Sequence, residues 1–361
     1  MSEQLWLDAA NTVVRAGMIP LPVTETMIQL LQTMMTPVQA SFLPHFDGPM
    51  NMGQLKTKTG WEEPALTLML EGLMDNGIVT GTRSKGSGTL VYRLMGPFPG
   101  MFEFTMMRGE TGEKQKKLAR LFDRMFDELA GMVRSNYDSI VPAFRAFPPV
   151  ARVVPMRSEI DTSKGAVLPA DEVNRIVAKF DTIAVTTCYC RHEKELLGEP
   201  CAVTSSKENC LMFGKIAQFA MEHRFARPIS KDDAFRILRE SEEEGLVHKA
   251  FHVNLDPDRE EEAICNCCKC CCGTFQMYYK GAAPLHNFAS YLAVVDDDAC
   301  SSCGACEEKC PMEAIDISSG TAVVNAEKCI GCGVCAAQCA MDAIRLESTG
   351  PRTVFVPPAK K

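Results

Sequence analysis

Cysteine is missing from the first 187 residues, which keeps thiolate–metal chemistry out of the N-terminal half. The start of the chain lacks the basic, apolar and small-residue order of a secretory signal, since Glu3 and Asp8 precede the first basic residue, Arg15. No apolar run approaches the roughly 20 residues that cross a bilayer. The expected setting is therefore cytoplasmic, with no membrane span. A basic surplus is also lacking: 38 Lys and Arg against 46 Asp and Glu leave a net charge of −8. A phosphate backbone rewards the opposite sign, so general nucleic-acid affinity is disfavoured. No nucleotide, flavin or pterin motif is recognisable, and no catalytic residue can be named.

What is present is concentrated. All 18 cysteines fall between Cys188 and Cys339 of a chain of 361 residues, long enough for two or three domains. In a reducing compartment, close-spaced cysteines are metal ligands more often than disulfides. Cys300, Cys303, Cys306 and Cys310 recur 29 residues later as Cys329, Cys332, Cys335 and Cys339, and CPMEAIDI is echoed by CAMDAIRL. Gly304, Gly331 and Gly333 supply the permissive dihedrals of tight loops.

From about Leu292 to Leu346 this repeat resembles two-cluster bacterial ferredoxins. The resemblance implies two 4Fe-4S clusters, the fourth cysteine of each run crossing to the other cluster. Cluster one would take Cys300, Cys303, Cys306 and Cys339, and cluster two Cys329, Cys332, Cys335 and Cys310. Pro311 follows the ferredoxin pattern, whereas Ala340 replaces proline in the second copy and could loosen that turn. A pair of zinc loops is the alternative.

Ten cysteines remain upstream as candidate metal ligands: Cys188, Cys190, Cys201 and Cys210, then Cys265, Cys267, Cys268, Cys270, Cys271 and Cys272 in ICNCCKCCC. Thiolates this dense repel one another unless a metal neutralises them. One or two further iron–sulfur clusters, or a zinc site with free thiols, would answer that need. A non-cubane cluster in the CNCC-x-CCC run is a sharper alternative. Leu211 to Arg224 carries apolar residues at helical spacing, and Ser230 to Glu244 opens with a capping box and ends at Gly245. A helical body is expected, with the cysteine groups converging from its ends. Arg191, His192 and Lys194 would offset cluster charge or lie in solvent, with His192 a weaker ligand candidate, and His248 and His252 suit structural roles. The CYCR, GLVH and ICNCC-x-CCC signatures resemble uncharacterised cysteine-rich modules that precede dicluster ferredoxin domains in anaerobic bacteria, which implies a further redox or metal module.

Thr36 to Leu94 has the order of a winged helix: helices over 38–43, 51–59 and 62–76, then strands over 77–80 and 90–94 with a glycine-rich wing. The third helix carries Glu62, Glu63, Glu71 and Asp75 and no basic residue, and only Arg83 and Lys85 in the wing favour DNA. Protein docking is the better expectation. Leu118, Leu121, Phe122, Met125, Phe126 and Leu129 mark a long amphipathic helix, and Pro142 to Pro155 suggests a semi-rigid linker.

The expected class is α+β and multidomain. A winged-helix-like domain covers 1–110, the amphipathic helix and proline-rich linker 111–168, a helical cysteine-rich domain 169–290 and a ferredoxin-like dicluster domain 291–361. The expected role is a non-catalytic electron-transfer subunit of an anaerobic oxidoreductase, taking electrons from ferredoxin or delivering them to a catalytic subunit. A redox-sensing transcription regulator and a reductase with an unusual upstream cluster are the alternatives.

Overall fold

The computed structural model describes residues 3–17, 19, 21–84, 86–149, 151–156, 159–160, 173–252 and 261–360, except for the side chain of His252. Lys85 lies outside the described residues. The chain forms two compact units: Met1–Leu129 with Thr186–Pro200 and Lys215–Arg227, and Ala130–Val185 with Cys201–Gly214 and Pro228–Lys361.

The first unit opens with helices Glu3–Ala16 (α1), Glu25–Met34 (α2) and Pro37–Phe42 (α3). Strand Met50–Asn51 (β1) leads into helices Met52–Thr59 (α4) and Glu63–Asp75 (α5), then strands Val79–Arg83 (β2) and Leu90–Leu94 (β3). The boundaries follow local chemistry. Thr36 with Gln39, and Asn51 with Gln54, form reciprocal capping boxes that satisfy orphan N–H groups, and left-handed Gly60 ends α4. In α5 the expected face, Leu66, Leu70, Leu73 and Met74, is buried. The hairpin pairs Val79 with Leu94, and β1 joins it in the order β1-β3-β2. Gly77 and Ile78, expected to begin the strand, instead close the turn after α5, where their N–H groups return to the carbonyls of Met74 and Leu73.

Helices Met101–Met107 (α6) and Glu113–Ser135 (α7) follow. The α7 stripe of Leu118, Leu121, Phe122, Met125, Phe126 and Leu129 is buried, each side chain contributing on the order of 1.5–3 kcal/mol when fully enclosed. Phe102 meets Phe122 and Phe126 edge-on at 5.0 and 5.5 Å.

The chain continues through helix Tyr137–Ala143 (α8), strand Ala151–Val154 (β4), helix Val173–Ala178 (α9), strand Ile183–Thr187 (β5) and helix Tyr189–Leu196 (α10). Next come strand Glu208–Phe213 (β6), helix Gly214–Glu222 (α11), strand Arg227–Pro228 (β7), helix Lys231–Glu243 (α12), and strands Val247–His252 (β8) and Glu261–Cys267 (β9). The C-terminal run is helix Gly273–Lys280 (α13), strand Leu285–Val295 (β10), helix Ala305–Lys309 (α14), strands Ile315–Asp316 (β11) and Val323–Val324 (β12), helix Val334–Ala337 (α15) and strand Ile344–Val356 (β13).

Two expectations are corrected. The cysteine-rich middle is not a helical body: its strands belong to an eight-stranded sheet ordered β13-β10-β4-β8-β9-β6-β5-β7. Leu211 to Phe213, expected within a helix, lie in β6, because three consecutive buried apolar residues suit a strand covered on both faces. The proline-rich segment is not simply a linker. Ala151–Val154 enters the sheet, with Arg152 opposite Ala250 on β8 and Phe288 on β10. Pro149 and Pro155 flank this strand, so the missing proline N–H groups fall outside its ladder.

Strands β10 and β13 pair antiparallel from Leu285 opposite Val356 to Val295 opposite Ile344. The ladder brackets residues 296–343, so both ends of the cysteine repeat are anchored to one rigid pair.

Candidate metal centres

Beyond the β10–β13 ladder the repeat folds around two hollows, each with about 340 Å³ of space free of protein atoms, part of it open to solvent. Cys300, Cys303, Cys306 and Cys339 line one, with Ile317, Ala322 and Ile344. Cys310, Cys329, Cys332 and Cys335 line the other, with Ala293, Ile315 and Ile330. Each hollow thus draws three cysteines from one run and one from the other.

Backbone geometry repeats with the sequence. Ala314 N donates to Cys310 Sγ and Ala343 N to Cys339 Sγ, both at 3.3 Å. Glu313 and Asp342, 29 residues apart, share φ of +49°. The turn after Cys339 therefore keeps the shape of its partner although Ala340 stands where Pro311 stands. Gly331 has φ of +62°, and a Cβ there would lie 2.2 Å from the Tyr291 carbonyl oxygen, so only glycine fits where this loop crosses β10.

The hollows differ in exposure. Cys310, Cys329, Cys332 and Cys335 are all buried, whereas Cys303 is exposed and Cys300 and Cys339 are half-exposed. Burial pushes the Cys332 thiol up to about 12. The Ala305 N–H, with Ser301, lowers exposed Cys303. Four thiols, apolar walls and backbone N–H groups aimed at sulfur fit an iron–sulfur cluster in each hollow.

Residues 292–340 match the family model of the 4Fe-4S dicluster domain. No curated protein and no solved structure gives a match. The dicluster domain supports iron–sulfur clusters as cofactors of this chain.

Upstream of the dicluster domain, the ten other cysteines do not gather as one set. Cys201, Cys268, Cys270 and Cys271 place their sulfurs within 4.8 Å of one another. Cys201 Sγ stands 3.7 Å from Cys268 Sγ and 3.6 Å from Cys270 Sγ, and Cys270 Sγ 3.5 Å from Cys271 Sγ. Hydrogen bonds from Cys268, Cys270 and Cys271 lower Cys201, while those it shares with Cys201, Cys268 and Cys270 raise Cys271. Cys267 is hydrogen-bonded to Cys272, and that bond, then burial, raises it, with Cys265 also nearby. Cys210 is buried on β6, whereas Cys188 and Cys190 belong to the first unit at the start of α10.

The basic residues after Cys190 are not in solvent. Arg191, His192 and Lys194 are buried; His192 Nε2 is 2.8 Å from the Glu110 carbonyl oxygen, and Lys194 pairs with Glu199 and Asp123. His248 bonds Asn266 Oδ1 at 2.6 Å and Glu242 Oε1 at 3.2 Å, a structural arrangement.

Three residues around the dicluster domain carried no sequence signal. Tyr279 OH donates to the Pro311 carbonyl beside Cys310, and burial, then nearby acidic groups including Cys310 and Cys272, push the phenol up. Lys269 Nζ reaches the Glu308 carbonyl at 3.4 Å. Arg352 on β13 donates to the carbonyls of Tyr291 and Cys329, clamping the loop over β10. Each bonds a main-chain carbonyl, which any residue type supplies, so spacing could not reveal them. Among the described residues, no helix is long and apolar enough to cross a membrane.

Proposed function

We propose that this chain is an electron-transfer protein in which Cys300, Cys303, Cys306 and Cys339 hold one 4Fe-4S cluster and Cys310, Cys329, Cys332 and Cys335 the other. The observation that carries this reading is the division of the repeat between two hollows, with the fourth cysteine exchanged. Each cluster, when bound, accepts and passes one electron. The protein supplies thiolates, N–H groups that hold charge on sulfur, and apolar walls that keep water out.

Exposure supports a direction. The exposure of Cys303, and of Met341 at 52%, supports the first hollow as the face that exchanges electrons with a redox partner. The buried second hollow lies towards the middle cysteines, since Tyr279 is held at Pro311 and senses both Cys310 and Cys272. Cys265, Cys267, Cys272 and Cys210, all in the second unit, remain candidate ligands for a further cluster.

Partners on this reading are ferredoxin and a catalytic oxidoreductase subunit in the cytoplasm of an anaerobe. The order of α3, β1, α4, α5 and the β2–β3 hairpin supports a winged-helix-like docking module. Acidic α5, with Leu68 74% exposed on it, favours a protein over DNA.

The test is iron and sulfide analysis of anaerobically purified protein, with electron paramagnetic resonance after reduction. At least about eight irons per chain and two interacting reduced clusters are expected, and Cys339→Ala should remove the signal of one cluster. Protein free of iron, or one whose reduced spectrum is unchanged by Cys339→Ala, would refute the assignment.

A further inference from the structure

The four sulfurs of Cys201, Cys268, Cys270 and Cys271 stand too close together for a cubane. In a 4Fe-4S cluster each thiolate binds a different iron, so the protein sulfurs are splayed by the full width of the cluster. The dicluster domain provides the comparison within this molecule: among the described residues, no three of its eight cysteines have sulfurs mutually within 4.8 Å, whereas these four do. A single ion with metal–sulfur bonds of about 2.3 Å sets tetrahedral sulfurs about 3.8 Å apart. The separations of 3.5, 3.6 and 3.7 Å approach that value.

We propose that Cys201, Cys268, Cys270 and Cys271 form a closed mononuclear four-thiolate site for a zinc ion, separate from the electron path. A tetrahedral set of four sulfurs selects zinc or an iron–sulfur cluster, and the spacing excludes the cubane. All four positions are filled by protein, the pattern of structural zinc rather than catalytic zinc. The surroundings match such a site. The backbone N–H groups of Thr204 and Ala202 bond the sulfurs of Cys201 and Cys270, and Leu246, fully buried, packs against the group. The ion would tie the loop before β6 to the turn between β9 and α13. That turn also carries Lys269, which reaches Glu308 in the dicluster domain.

The experiment uses the full chain purified without oxygen from cells supplied with both metals, and measures zinc and iron together. About one zinc per chain is expected alongside the cluster iron. Zinc X-ray absorption should show four sulfur neighbours at about 2.3 Å and no iron neighbour. Cys270→Ala should lower zinc at least several-fold while iron, sulfide and the reduced-cluster resonance stay at wild-type values. Absence of zinc from wild-type protein, zinc with nitrogen or oxygen neighbours, or loss of iron rather than zinc in Cys270→Ala would overturn the proposal. The absorption measurement needs no variant, so a misfolded substitution does not decide the matter. The iron signals report separately on the electron-transfer reading, so either reading can fail alone.

Discussion

At the scale of single residues, the repeat is held by positions that tolerate no alternative. Gly331 combines a left-handed φ with a backbone crossing in which any Cβ meets the Tyr291 carbonyl at 2.2 Å. A residue forced into such a position costs on the order of 1–3 kcal/mol in backbone strain before the clash is counted. Gly331→Ala is therefore expected to lose at least half its iron on purification, whereas Gly86→Ala, in open space, should retain it all. Equal iron in the two proteins, measured per chain, would show that the loop yields. The grouping of the eight repeat cysteines around two hollows and the place of this glycine left a mark in the sequence, because a repeated spacing and a left-handed dihedral each admit few residue types. Arg352 was not, since its partners are the carbonyls of Tyr291 and Cys329, and a carbonyl leaves no mark in the sequence.

At the scale of elements, helical stripes were more legible than short strands. The face of α7 is buried as its periodicity implied, because a 23-residue helix repeats its pattern many times. Leu211 to Phe213 deceived because three apolar residues fit either period, and Ala151–Val154 was obscured by its flanking prolines. Helix α6 contains a titratable group whose effect can be predicted. Glu103 accepts from the Gly100 N–H at its start, but burial outweighs that bond and pushes its carboxyl up to about 7. A carboxyl with a raised folded-state pKa binds its proton more tightly when folded. Its contribution is then fully present below the unfolded value near 4.5 and is lost as pH rises through about 7. At about 1.4 kcal/mol per pKa unit the ceiling is roughly 3–4 kcal/mol. Thermal unfolding of anaerobic protein should show first-unit stability falling between pH 5 and pH 8. Glu103→Gln should flatten that slope, and a variant with the wild-type slope would assign it to another group.

At the scale of the whole molecule, periodicity marks which face of an element is buried but not which unit buries it. Hence the return of α10 and α11 to the first unit could not be read from the sequence, even though α11 overlaps an expected helix. This division has a consequence for metal loss. Residues 296–343 contain little regular structure beyond the short α14, β11, β12 and α15. Their order rests on the β10–β13 ladder at their base and on the cysteines around the two hollows. Metal bonds of this kind contribute directly to folding free energy. Helix α2, by contrast, buries Met27, Leu30 and Leu31 in a unit that contains none of those eight cysteines. Removing iron with a chelator under anaerobic conditions should therefore speed amide hydrogen exchange across 296–343 by at least tenfold. Exchange in α2 should change less than twofold. Uniform acceleration in both segments would mean that the units unfold as one, and unchanged exchange at 296–343 would mean that the polypeptide shapes both hollows without metal.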